Sequence, residues 1–90
     1  MQLRQILKSL GKSYTGKAKI RELLNKKKYR LKDEEYELLA YAYIDKFSVE
    51  NICMKLNFSA ATYHNFLKTS LRTLEALITD AEFRELINYV

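Results

Sequence analysis

Apolar side chains recur along this chain at intervals of three and four, the period of amphipathic helices. Leu3, Ile6, Leu7 and Leu10 predict a first helix over 2–10, with Gly11 as the residue just past its end. Lys12–Lys17 reads as a polar loop, and Ile20, Leu23 and Leu24 predict a second helix from Ala18 to Tyr29. A third helix starts near Asp33. Glu34, Glu35 and Glu37 in its first turn suit the positive end of the helix dipole, and Leu38, Leu39, Ala42 and Tyr43 form its inner face.

The stretch from Phe47 to Leu67 then reads as two helices joined by a tight turn. Ser48 caps the first of them, and Ile52, Cys53 and Leu56 lie on one face, with Cys53 expected buried where the two helices approach. Asn57 stands where the turn needs a positive φ, a role that Gly fills best and Asn next best. Phe58 plugs the core beneath the turn, and Ser59 caps the second helix. Leu67, Leu71, Leu74 and Ile78 prolong that helix as a seam that packs on the N-terminal helices or on another copy. Thr79 or Asp80 caps a last helix in which Phe83, Leu86, Ile87 and Val90 share a face.

With no Pro and only two Gly, nothing interrupts these runs. The expected fold is all-α: a compact domain of five to six helices containing a helix-turn-helix with an extended recognition helix. Its parts are a basic helical subregion over 1–30, the helix-turn-helix region over 31–78 and a C-terminal helix over 79–90. A chain of 90 residues suffices for one such domain. No apolar run approaches the length of a bilayer span, and no secretory leader follows Met1, so a cytoplasmic location without a membrane partner is expected.

Charge changes the picture more than composition does. The net charge is +5, but residues 1–32 carry eleven cations against Glu22 alone, while residues 33–90 carry five cations and ten carboxylates. A polyanion is drawn to the N-terminal third. Lys26, Lys27, Lys28, Arg30 and Lys32, joined by Arg72 from the long helix, are the expected phosphate-binding set. The competing reading is that the consecutive lysines only complement the negative end of their helix dipole.

Candidate chemistry is otherwise sparse. Gly11-Lys12-Ser13 has the ending of a phosphate-binding loop, but Ile6 stands where its first Gly belongs and no strand precedes it. The single Cys and single His give no ligand set, so neither a metal nor a cofactor is expected. No nucleophile–base pair is present, and the chain does not read as an enzyme.

From Leu31 to about Leu77 the sequence resembles the C-terminal region of bacterial sigma factors, the part that reads the promoter −35 element. The resemblance runs through Glu35, Leu38, Leu39, Tyr43, Phe47-Ser48-Val49-Glu50, Ile52, Leu56, Asn57, Thr62, Leu67 and Leu74. Ser59-Ala60-Ala61-Thr62-Tyr63-His64, followed by the leucine-rich Leu71–Leu77, is most similar to the ArpU and RinA-type phage regulators. The resemblance implies a transcriptional regulator of phage or mobile-element origin that binds double-stranded DNA. It places Ser59, Ala60, Ala61, Thr62, His64, Asn65 and Lys68 on the base-reading face. The outward positions of this helix are nearly neutral, whereas the related sigma domains are rich in Arg and Lys there. Two alternatives therefore stay open: a module that grips RNA polymerase without reading DNA, and an RNA-binding helix-turn-helix protein. A homodimer is a further expectation, since readers of half-sites pair.

Overall fold

In the computed structural model, which describes residues 2–90, six α-helices and one 3₁₀ turn succeed one another, and no strand occurs among the described residues. Residue 1 of the expected domain lies outside the description. The helices are α1 (Leu3–Leu10), α2 (Tyr14–Lys27), α3 (Asp33–Tyr43), α4 (Val49–Leu56), α5 (Ala60–Leu77) and α6 (Asp80–Ile87), with the 3₁₀ turn over Lys28–Arg30. The all-α expectation holds.

α1 buries all four residues of its apolar stripe. It ends at Gly11 as expected, and Gly11 has φ −65°, an ordinary right-handed conformation. Glycine is required there for space: a Cβ would lie 2.5 Å from the Tyr43 carbonyl oxygen. α2 begins earlier than the sequence suggested. Ser13 caps it, its Oγ accepting a hydrogen bond from the Gly16 N–H at 2.9 Å, so the expected loop is largely helix. Ile20, Leu23 and Leu24 face inward, and Lys27 follows them on the same side.

α2 packs on α1 and α3, whereas α5 packs on α3, α4 and α1. α1 and α3 thus form a middle layer between the two longest helices. The main core draws Leu3, Ile6, Leu7 and Leu10 together with Leu24, Leu39, Tyr43 and Leu74, and Leu67, Leu71 and Ile78 pack against it. The leucine seam of α5 is therefore used inside the chain, on the N-terminal helices. A second cluster of Leu38, Ile52 and Tyr63 secures the helix-turn-helix.

One core position breaks the apolar rule. Ser70 is fully buried on α5, and its Oγ has no hydrogen-bond partner. An unsatisfied buried hydroxyl costs about 1–3 kcal/mol, and Ala is the better helix former. Ser70→Ala is expected to stabilise the domain by about 1 kcal/mol, seen as a higher urea midpoint at unchanged slope. A lower midpoint would mean that the hydroxyl is bonded in solution.

Candidate nucleic-acid interface

The helix-turn-helix is set by short-range bonds. Three residues past the end of α3, Lys46 takes φ 57°, and the Phe47 N–H donates to the Tyr41 carbonyl at 3.0 Å. The Phe47 ring then rests 5.5 Å from Tyr41. Ser48 Oγ accepts from the Asn51 N–H at 3.2 Å and starts α4. Asn57, at φ 58° and ψ 47°, ends it in the left-handed region as expected. Phe58 is half-buried and meets Phe66 edge-on, with centroids 5.3 Å apart. Ser59 Oγ then accepts from the Thr62 N–H at 3.2 Å and donates to Thr62 Oγ1 at 2.9 Å.

Tyr63 is buried against Leu38 and Ile52 and fixes the rotation of α5. Burial pushes the hydroxyls of Tyr43 and Tyr63 above the ordinary tyrosine range, because a phenolate would lose its hydration there. Cys53 is only half-buried, and the fully buried residue of α4 is Ile52. Cys53 packs against the cluster of Leu38, Ile52 and Tyr63, and only the expectation that it is buried is corrected.

With Tyr63 turned inward, Ser59, Ala60, Ala61, Thr62, His64, Asn65 and Lys68 all stand exposed on the first half of α5. Ser59 and Thr62 use their hydroxyls mainly on each other, so the side chains left free for a ligand are Ala60, Ala61, His64, Asn65 and Lys68. A groove of about 700 Å³ runs beside them, between α5 and the first turn of α1. His64, Lys68 and Arg72 line one wall at successive turns, Arg4 faces them from α1, and Leu67 and Leu71 form the floor. Glu75 is the one carboxylate in the lining. Arg4 was absent from the sequence-based set, since α1 reads there only as a core helix.

The lysine cluster lies elsewhere. Glu82, in the first turn of α6, holds Lys26 Nζ at 2.8 Å with Oε2 and Lys27 Nζ at 2.8 Å with Oε1. The two ammonium groups and the Thr79 N–H hold the Glu82 carboxyl down at about 2, and the same contact raises Lys26. α6 follows directly on the C-terminal end of α5, whose 18 residues span about 27 Å. Lys26 and Lys27 are therefore remote from Ser59 and share one carboxylate within the chain, with the Lys27 side chain only 11% exposed. The structure therefore does not bring these two members of the expected phosphate-binding set together with the face of α5. Lys28 lies 5.1 Å over the Tyr36 ring, Arg30 stands 6.0 Å over Tyr29, and the Lys32 N–H donates to Glu35 Oε1 at 2.9 Å as α3 begins. Of the expected cations only Lys68 and Arg72 adjoin the groove.

No helix among the described residues is long and apolar enough to cross a membrane. Residues 12–75 match the model of a family described as "Protein of unknown function (DUF1492)", and the chain belongs to that family. Neither a curated protein nor a solved structure matches it.

Proposed function

We propose that this member of the DUF1492 family is a DNA-binding transcriptional regulator, of phage or mobile-element origin, that reads duplex DNA with α5. The observation that carries the reading is the left-handed turn at Asn57 between two capped helices, which presents Ala60, Ala61, His64 and Asn65 to solvent. In a major groove, Asn65 pairs with an adenine edge and the alanines touch thymine methyl groups. Phosphate contacts come from Arg4, Lys68 and Arg72 along the neighbouring groove, which His64 also lines. The resemblance of 31–78 to sigma-factor C-terminal regions and phage regulators supports the same reading.

The test is selection from a random duplex pool, followed by binding across a salt series. Arg4→Ala, Lys68→Ala and Arg72→Ala are each expected to weaken all sequences alike and to flatten the salt slope by about 0.9 per lost phosphate contact. Asn65→Ala is expected to keep the slope and to relax one position of the motif, at a cost of about 1–3 kcal/mol. Identical behaviour of the two kinds of variant would sink the division of labour.

A second reading rests on the apolar floor of Leu67 and Leu71 and on the exposed Phe47, Val49 and Met54 of the α4 region. These favour a protein partner such as RNA polymerase. Copurification with polymerase, together with no enriched motif and no duplex binding at low salt, decides for it.

A further inference from the structure

α2 carries two rows of cations that meet different fates. Along one flank Lys19 reaches Glu22 and Glu85 at 3.7 Å each, and Lys26 reaches Glu82 at 2.8 Å, so carboxylates of α2 and α6 pair with that side. Along the other flank Tyr14, Lys17 and Arg21 recur at helical spacing and Lys28 follows at the start of the 3₁₀ turn, in a line about 21 Å long. Among the described residues no carboxylate comes within ion-pair distance of Lys17, Arg21 or Lys28. Two rings bracket this row with little contact to the fold: Tyr14 is 91% exposed and Tyr29 is 82% exposed. The middle layer of α1 and α3 separates the row from the reading face of α5.

We propose that this flank of α2 is a second binding surface, whose partner is a single-stranded nucleic acid. Positive charge alone attracts any polyanion; the tyrosines narrow the choice. A ring this exposed contributes little to folding, but it offers a face on which an unpaired base stacks, and base–aromatic stacking tolerates any sequence. A duplex keeps its base faces inside and gives Tyr14 and Tyr29 nothing to meet. Lys17, Arg21 and Lys28 track the backbone between the two platforms, so the domain can hold a single strand on one side while α5 faces a duplex on the other. The inference does not depend on duplex reading by α5, and its test separates the two.

Fluorescence anisotropy of the full chain with labelled dT20 and U20 across a salt series tests the proposal. The variant Lys17→Ala/Arg21→Ala/Lys28→Ala is expected to bind both oligomers at least tenfold more weakly at low salt. Its salt slope should fall by about 2, at roughly 0.7 per phosphate on a single strand. Tyr14→Ala is expected to weaken binding severalfold at unchanged slope, and Tyr14→Phe to retain it. Lys68→Ala/Arg72→Ala should leave single-strand binding intact, and the α2 variant should leave duplex binding intact. Preference for U20 assigns the surface to RNA, and preference for dT20 to DNA. The proposal is overturned if the wild-type chain does not retain either oligomer at low salt. It is also overturned if Tyr14→Ala has no effect, or if both sets of lysine and arginine variants lose single-strand binding alike.

Discussion

Gly16→Ala is expected to destabilise the domain by about 3 kcal/mol or more, a fall in Tm of roughly 12–24 °C for a chain of this size. Helix propensity alone argues the opposite, since Gly16 lies within α2 with no positive φ, and Ala is better there by about 1 kcal/mol. Sterics reverse the sign. The first turn of α2 sits directly on the last turn of α1, and a Cβ at Gly16 would stand 1.9 Å from the Leu10 carbonyl oxygen and 2.6 Å from its carbon. Both atoms are backbone, so no rotamer change relieves the overlap and the helices must separate. Separation disturbs the packing of Leu10, and with it the placement of Arg4 at the groove. Thermal melting followed by circular dichroism gives the answer. Ala18→Gly serves as the reference, an exposed change in the same helix that costs only about 1 kcal/mol. An unchanged or raised Tm for Gly16→Ala would show that α1 and α2 do not meet as described.

The same contact explains why the sequence misplaced the start of α2. Ser13 is a good cap, but apolar periodicity resumes only at Ile20, and Gly16 in between looked like part of a loop. Its smallness is demanded by Leu10, and a demand of one helix upon another leaves no local pattern. Gly11 is a parallel case, answering to the Tyr43 carbonyl, and so is Lys46, which takes a left-handed conformation with no Gly or Asn to announce it. The helix-turn-helix was legible because each determinant is local: Ser48 and Ser59 bond within their own first turns, and Asn57 sets its own φ. The exposure of Ala60, His64 and Asn65 follows from the helical period, given Tyr63 as the inward residue of that turn. Arg4 was missed because only the packing of α1 against α5 brings it to the groove. Part of the lysine placement was legible. Lys27 continues the line of Ile20, Leu23 and Leu24, a stripe already read as buried, and Thr79 with Glu82 forms a recognisable capping box. What no local pattern could supply was that Glu82 would come to rest beside Lys27.

That meeting sets the second large effect. Glu82→Gln is expected to cost about 2 kcal/mol at neutral pH, lowering Tm by roughly 8–16 °C. Gln keeps the capping box, in which the Thr79 N–H donates to the residue 82 side chain, so the substitution removes charge and little else. It strands the Lys27 ammonium, which is nearly buried and has Glu82 as its anion. The pH dependence gives an independent check. The Glu82 carboxyl falls from 4.5 to about 2 in the folded chain, chiefly through Lys26 and Lys27. A depressed carboxyl stabilises fully above its unfolded value and loses that contribution as pH falls through its folded one. A shift of this size corresponds to about 3 kcal/mol at most, and solvent around the exposed Lys26 reduces it to about 1–2 kcal/mol. The wild-type chain should therefore lose stability more steeply than Glu82→Gln between pH 4.5 and 2, and the gap between their urea midpoints should narrow across that window. A gap that stays constant down to pH 2 would mean that the charge of Glu82 does not hold α6 to α2.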